Sequence, residues 1–213
     1  IIIIKVLRMK KIYLLFFLIL IFPSSVNAKY FFCKYLNFQC SSINYEKLVI
    51  QDEKYYEKFS QVPFTGWVNG LKQGKVLKGK KHGLWNYYYK NGTVKKILNY
   101  DNGIIKDGEY KIYYKNGKLF ETGFYKNQKQ HNELKHFYES GNLMLEGSFV
   151  LGKPNGSFKE YHDNGIISGK RNYIDGLKEG FVTTYWDNGN LRSLEYYEKG
   201  KKNGIYLAIR KNG

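Results

Sequence analysis

From about residue 83 onward, apolar and polar positions alternate in short runs, and the runs return with a fixed period. An aromatic pair followed by a turn, Tyr88-Tyr89-Lys90-Asn91-Gly92, comes back as Tyr113-Tyr114-Lys115-Asn116-Gly117, Phe137-Tyr138-Glu139-Ser140-Gly141, Tyr161-His162-Asp163-Asn164-Gly165 and Tyr185-Trp186-Asp187-Asn188-Gly189, and ends as Ile209-Arg210-Lys211-Asn212-Gly213. Successive glycines are 25 residues apart once and 24 apart four times, so one supersecondary unit repeats. A second glycine opens each unit at Gly83, Gly108, Gly156, Gly180 and Gly204, with Asn132 standing in once. Asn is the next-best residue at positive φ. Two turns per unit imply two strands, the second starting at Val94, Leu119, Leu143, Ile167 or Leu191 and ending on Tyr100, Tyr125, Phe149, Tyr173 or Tyr197. Asn-Gly between alternating apolar residues predicts a type I′ hairpin turn with positive φ at both central positions.

Side chains alternate along a strand, so the third position of each unit (Trp85, Tyr110, Leu134, Phe158, Val182, Tyr206) faces away from the sixth (Tyr88, Tyr113, Phe137, Tyr161, Tyr185, Ile209). Both faces then carry an apolar column. A lone hairpin buries neither and is marginal in water, whereas stacked hairpins form cross-strand ladders, each pair contributing about 0.2 to 1 kcal/mol. The expected fold is therefore all-β: a repeat array of antiparallel β-hairpins in an elongated, twisted meander sheet. Repeats of about 24 residues fill 83–213, degenerate leading hairpins fill 47–82, and 29–46 reads as an N-terminal linker. Within the leading part, Lys47 to Asp52 and Lys54 to Tyr56 suggest a cap hairpin, Pro63 to Val68 a strand, and Asn69 to Lys75 a turn-rich piece.

Composition supports strands over helices: 21 Tyr, 22 Gly, 3 Pro and 18% aromatics suit pleated surfaces and tight turns. The first 28 residues read differently. Basic Met9-Lys10-Lys11, an apolar run Ile12 to Phe22 and Pro23-Ser24-Ser25-Val26-Asn27-Ala28 have the three parts of a secretory signal cut after Ala28, with 1–8 as an upstream extension. Eleven apolar residues fall short of the roughly 20 that span a bilayer. The expectation is export to the periplasm, the outer membrane or the exterior. Removing 1–28 leaves 31 basic against 18 acidic residues. Such an excess suits an anionic surface, and it suits still better a lysine-decorated chain from an A+T-rich genome. No specific nucleic-acid partner is expected. Cys33 and Cys40 either close one small disulfide loop or remain two thiols in an N-terminal arm.

Leu145-Glu146-Gly147-Ser148-Phe149 with Gly152-Lys153-Pro154-Asn155-Gly156, and Gly200-Lys201-Lys202-Asn203-Gly204, resemble the MORN (membrane occupation and recognition nexus) repeat. Pro63-Phe64-Thr65-Gly66 followed by Tyr-Tyr-x-Asn-Gly-x-Leu units is similar to the variant in bacterial YwqK-type antitoxin proteins. The resemblance spans about 47–213 and is specific for the repeat; Tyr and Lys at a fixed pitch suggest an interaction module, and the antitoxin-like resemblance implies toxin neutralisation as the alternative. The signal segment weighs against a cytoplasmic antitoxin. MORN arrays also resemble the N-terminal part of some plant phosphatidylinositol phosphate kinases, yet no H-R-D or D-F-G segment occurs in this chain.

Chemistry is sparse. Gly74-Lys75-Val76-Leu77-Lys78-Gly79-Lys80 satisfies part of a phosphate-binding loop, but Lys81 stands where Ser or Thr must hold magnesium, and a strand pattern follows where a helix is required. His82 and His131 fall at equivalent positions of different units, and neither cysteine has a nearby histidine to act as base. No catalytic residue, cofactor or metal is expected. The second aromatic position of each unit (Tyr89, Tyr114, Tyr138, His162, Trp186) supplies the candidates for a binding surface with a protein or an anionic envelope surface as partner. The last strand, Gly204 to Ile209, is expected to expose an edge open to self-association.

Overall fold

The computed structural model describes residues 42–211. The expected signal segment, Cys33, Cys40 and the final Asn212-Gly213 lie outside the described residues.

From Gly66–Asn69 to Lys201–Ala208 the chain is one antiparallel meander, each strand pairing with its successor. The first strands of the units are Lys80–Tyr88, Gly108–Tyr113, Lys129–Phe137, Gly156–Tyr161, Gly180–Tyr185 and Lys201–Ala208. The second strands are Val94–Asp101, Leu119–Lys126, Leu143–Val150, Ile167–Ile174 and Leu191–Glu198, starting where the repeat pattern places them and running one residue further. No helix among the described residues is long and apolar enough to cross a membrane.

The turns exchange roles relative to expectation. Asn91, Asn116, Asn164 and Asn188 are not at positive φ; only the glycine after each is, at 84°, 84°, 85° and 86°. The Gly92 N–H donates to Tyr89 O (3.0 Å) and the Tyr89 N–H to Thr93 O (2.9 Å), a three-residue loop with a left-handed glycine and a bulge. The Asn91 carboxamide oxygen accepts the Thr93 N–H (3.1 Å), so the asparagine serves as a local acceptor. Type I′ geometry sits at the other end of the hairpins. Lys78-Gly79, Asn102-Gly103, Leu151-Gly152, Asp175-Gly176 and Lys199-Gly200 all have positive φ at both positions, and Asn127-Gln128 does so without glycine.

Of the residues that open each unit, Gly108, Gly156 and Gly180 head a strand, whereas Gly83, Asn132 and Gly204 are bulge positions inside one. Gln73 pairs with Asn86 and Lys75 with His82, which leaves Gly74 opposite the stretch that begins at left-handed Gly83. Asn132, at φ 59°, does the same opposite Gly123.

The two apolar columns are unequal. Trp85, Tyr110, Leu134 and Phe158 are 0%, 3%, 6% and 4% exposed, whereas the sixth-position side chains are half-buried. Rings of the buried column lie over glycines: a methyl group on Gly147 would come within 2.3 Å of Phe158, and one on Gly74 within 2.5 Å of Trp85. Each ring also meets the aromatic that closes a second strand. Tyr110 and Tyr125 are 4.4 Å apart, and Phe158 lies 5.6 Å from Phe149 and 5.1 Å from Tyr173. The face bearing this column is hereafter the inner face.

The N-terminal end is closed. The hairpin Leu48–Gln51 with Lys54–Glu57 lies over the inner face of the first unit, bringing Tyr45, Leu48 and Tyr55 against Trp85, Val76 and Tyr100. Backbone bonds fix it: Tyr55 N–H to Gly79 O (2.8 Å), Phe64 N–H to Tyr55 O (2.8 Å) and Gly79 N–H to Phe64 O (2.7 Å). Two expectations change here. Ser42–Asn44, placed in the linker, pairs parallel with Gly66–Asn69, and the stretch read as turn-rich already becomes strand at Lys72.

Candidate interaction surface

The second aromatic of each unit lies on the inner face, two and four residues from the fifth- and third-position side chains. Its polar tip reaches the next unit. Tyr89 Oη donates to Tyr113 O (2.8 Å), Tyr114 Oη to Phe137 O (2.7 Å), Tyr138 Oη to Tyr161 O (2.7 Å) and Trp186 Nε1 to Ile209 O (3.1 Å). His162 Nε2 is 3.0 Å from Tyr185 O, which makes that nitrogen the protonated one because a carbonyl only accepts. All five candidates therefore form one ladder of unit-to-unit staples. Each such bond is worth about 0.5 to 1.5 kcal/mol.

A second ladder, not anticipated from sequence, runs along the same turns. Asn91 Nδ2 donates to Lys115 O (2.9 Å), Asn142 Nδ2 to Asp163 O (2.7 Å) and Asn164 Nδ2 to Asp187 O (2.8 Å), while Asn116 Nδ2 reaches the Glu139 carboxylate (3.1 Å). The recurrence of Asn91, Asn116 and Asn164 before the turn glycine was its signal, and where Ser140 interrupts that row Asn142, two residues on, makes the bond. With both ladders bonded, what remains for a partner is the ring faces and their surroundings. Lys95 covers Tyr89 at 5.5 Å and Arg192 covers Trp186 at 4.6 Å.

Along the inner face the fifth-position column changes from Tyr87 and Ile112 through His136 to Glu160, Thr184 and Ala208. In the middle, Tyr110 Oη donates to Glu121 Oε1 (2.6 Å), Gln130 Nε2 donates to Tyr110 Oη (2.8 Å) and His136 Nε2 lies 3.0 Å from Glu121 Oε2. Burial alone would raise the Glu121 carboxyl, but hydrogen bonds from His136 and Tyr110 outweigh it and hold the group below the usual carboxylate range. Further on, Arg171 bonds Glu160, Thr184 Oγ1 is 2.6 Å from Ser193 Oγ, and Lys202 Nζ is 3.0 Å from Glu195. An open depression of about 490 Å³ lies between Trp186, Arg192, Glu195 and Tyr206.

The remaining candidates have local roles. Gly74 is in a strand under Trp85 and Gly79 in a type I′ turn, so the phosphate-loop-like segment is a hairpin. His82 lies 3.4 Å from Asp101, and His131 Nδ1 accepts the Leu151 N–H at 3.3 Å. Among the described residues no three His, Cys, Asp or Glu side chains converge as metal ligands.

A family model described as a MORN repeat variant matches residues 81–102, 106–127, 130–150, 154–175 and 178–199, together just over half of the chain. No curated protein matches. Solved structures with similar stretches include a S. aureus TarM mutant in complex with fondaparinux, α-GlcNAc-glycerol and UDP, at 13% identity over 46% of this chain and 19% of that one, with a TM-score of 0.31. The GtfA/B complex shares 9% identity over 49% of this chain and 18% of that one, with a TM-score of 0.26. The same complex bound to UDP and GlcNAc shares 14% over 71% and 29%, with a TM-score of 0.25. The chain spans less than a third of the length of each.

Proposed function

The chain belongs to the MORN repeat variant family, and on that premise we propose that it is an exported, non-catalytic module that binds a protein or an anionic envelope surface through the inner face of its later units. One observation carries the reading. The cap hairpin lies over the first unit, whereas Glu160, Arg171, Thr184, Ser193 and Glu195 stand half-buried in rows on the same face with none of the cap's contacts. Rows at the two-strand pitch, about 10 Å per unit, suit a partner that makes several weak contacts at once. Export rests on the basic, apolar and small-residue segments of Met9 to Ala28.

The test is site-specific photo-crosslinking on the mature protein in its own envelope fraction, with the reactive group at Ser193 on the inner face or at Lys159 on the other. Capture at position 193 alone, persisting at high salt, is the expected result. Equal capture at both positions, or capture lost entirely at high salt, would leave only non-specific attraction to a basic surface. The strand Lys201–Ala208, exposed along its whole length, is the natural place for a second copy to pair, and sedimentation of the mature protein would reveal it as a concentration-dependent dimer.

A further inference from the structure

We propose that Lys81 is a site of covalent acylation at the seam between cap hairpin and repeat array, taking its acyl group from a small activated donor of the acyl phosphate class. The surroundings single this amine out. Its Nζ lies 4.7 Å from the Trp85 ring centroid, 5.0 Å from Tyr100, 5.2 Å from Tyr87 and 5.9 Å from Tyr55. The first three rings belong to the array and the last to the cap. Its side-chain hydrogen bond is to Tyr87 Oη at 2.8 Å, itself 2.8 Å from Tyr100 Oη. An ammonium has three N–H donors, and ring faces supply no lone pairs to satisfy the others.

The charge environment points the same way. Among the described residues no carboxylate pairs with Lys81, and the charges acting on it are the like charges of Lys72 and Lys96. The titratable groups facing it from cap and array, Tyr55, Tyr87 and Tyr100, are phenols that burial pushes up and keeps neutral. Loss of water, followed by repulsion from Lys72 and Lys96, brings the Lys81 amine down to about 8. The rings act in the opposite sense by attracting the cation, but they face an amine that burial and two like charges already drive toward its free base. Lys81 remains only half-buried, so a donor of a few atoms can reach it.

In the reaction the amine lone pair attacks the acyl carbon and the bond from that carbon to the phosphate oxygen breaks. Phosphate leaves with the electron pair, and the surplus ammonium proton passes to water. The product amide is neutral, so the seam loses the cation that its four rings surround. The repeat supplies an internal comparison: Lys202 occupies the same register, and there the hydrogen bond its Nζ donates to Glu195 raises the amine above the usual lysine range.

The test is to treat the folded protein with limiting acetyl phosphate across pH 7 to 10 and to follow each lysine by peptide mass spectrometry. The expected result is that Lys81 acetylates about ten-fold faster than Lys202 at pH 8, with its rate levelling off above pH 8 while that of Lys202 still climbs. In urea the ratio should collapse to about one. A Lys81 rate at or below that of Lys202, a parallel pH profile, or a ratio that survives in urea would each overturn the proposal.

Discussion

The first unit and the last described strand place aromatic side chains at the same repeat position and treat them oppositely. Trp85, third in the first unit, is 0% exposed, stacked beneath Tyr55 of the cap and against Tyr100. Tyr206, third in the last described strand, is 67% exposed, with Lys202 5.7 Å from its ring. Between them the column passes through Tyr110, Leu134 and Phe158, all buried, to the half-buried Val182. The contrast shows that burial here follows from what lies over and beside a residue, since the two positions are equivalent in register and similar in residue type. Polar character follows the same gradient: the residue opposite the third position is Leu98 in the first unit, Gly123 and Gly147 in the next two, then Arg171 and Glu195.

The sharpest way to test this contrast is truncation at each end. Trp85→Ala should destabilise by about 3 to 5 kcal/mol, because a fully buried indole leaves a cavity under the cap, whereas Tyr206→Ala should change stability by less than about 0.5 kcal/mol; urea unfolding followed by circular dichroism measures both. Glycines of the inner face should show the next effect. Gly147→Ala drives a methyl into the Phe158 ring and should cost about 1 to 3 kcal/mol. Gly169→Ala meets only the flexible end of Glu160, at 3.1 Å, and backbone at 3.6 Å, so it should cost less than 1 kcal/mol by the same reasoning.

A pH effect should belong to the capped end. The folded-state value of Lys81, about 8, lies below its unfolded value of 10.5, so between them the unfolded chain binds more protons and stability rises with pH. The gain, on the order of 1 kcal/mol after allowing for solvent screening, should be absent in Lys81→Met. Above pH 10 the raised phenols of Tyr55, Tyr87 and Tyr110 reverse the trend, because the folded state then holds the extra protons. Urea midpoints at pH 7, 9 and 10.5 would reveal a maximum near pH 9 to 10.

The staples should differ little along the array, which makes them the control. Tyr138→Phe removes the bond to Tyr161 O and should cost about 1 kcal/mol, and Tyr89→Phe should match it within error. Last and smallest, Leu151→Asn should stabilise by about 0.5 kcal/mol, because Leu151 sits at φ 48° where Asn is better tolerated.

The sequence alone determined the repeat, the two strands of each unit and the start of every second strand. Period-two alternation and turn glycines act within a few residues, and Val94, Leu119, Leu143, Ile167 and Leu191 carry that local signal without help from the rest of the chain. It also marked Tyr89, Tyr114, Tyr138, His162 and Trp186 as a set, because position in the period singles them out. Their bonds to carbonyls one unit away, the move of type I′ geometry from Asn91-Gly92 to Asn102-Gly103, and the four rings around Lys81 were decided by the tertiary structure. Those features depend on how far one hairpin is displaced against the next, on bulges that tell two equally good Asn-Gly turns apart, and on a cap that folds back across a face. The staples and the cap's bond from Tyr55 to Gly79 join residues 20 or more positions apart, where neither the alternation of side chains nor the conformational preference of a glycine reaches.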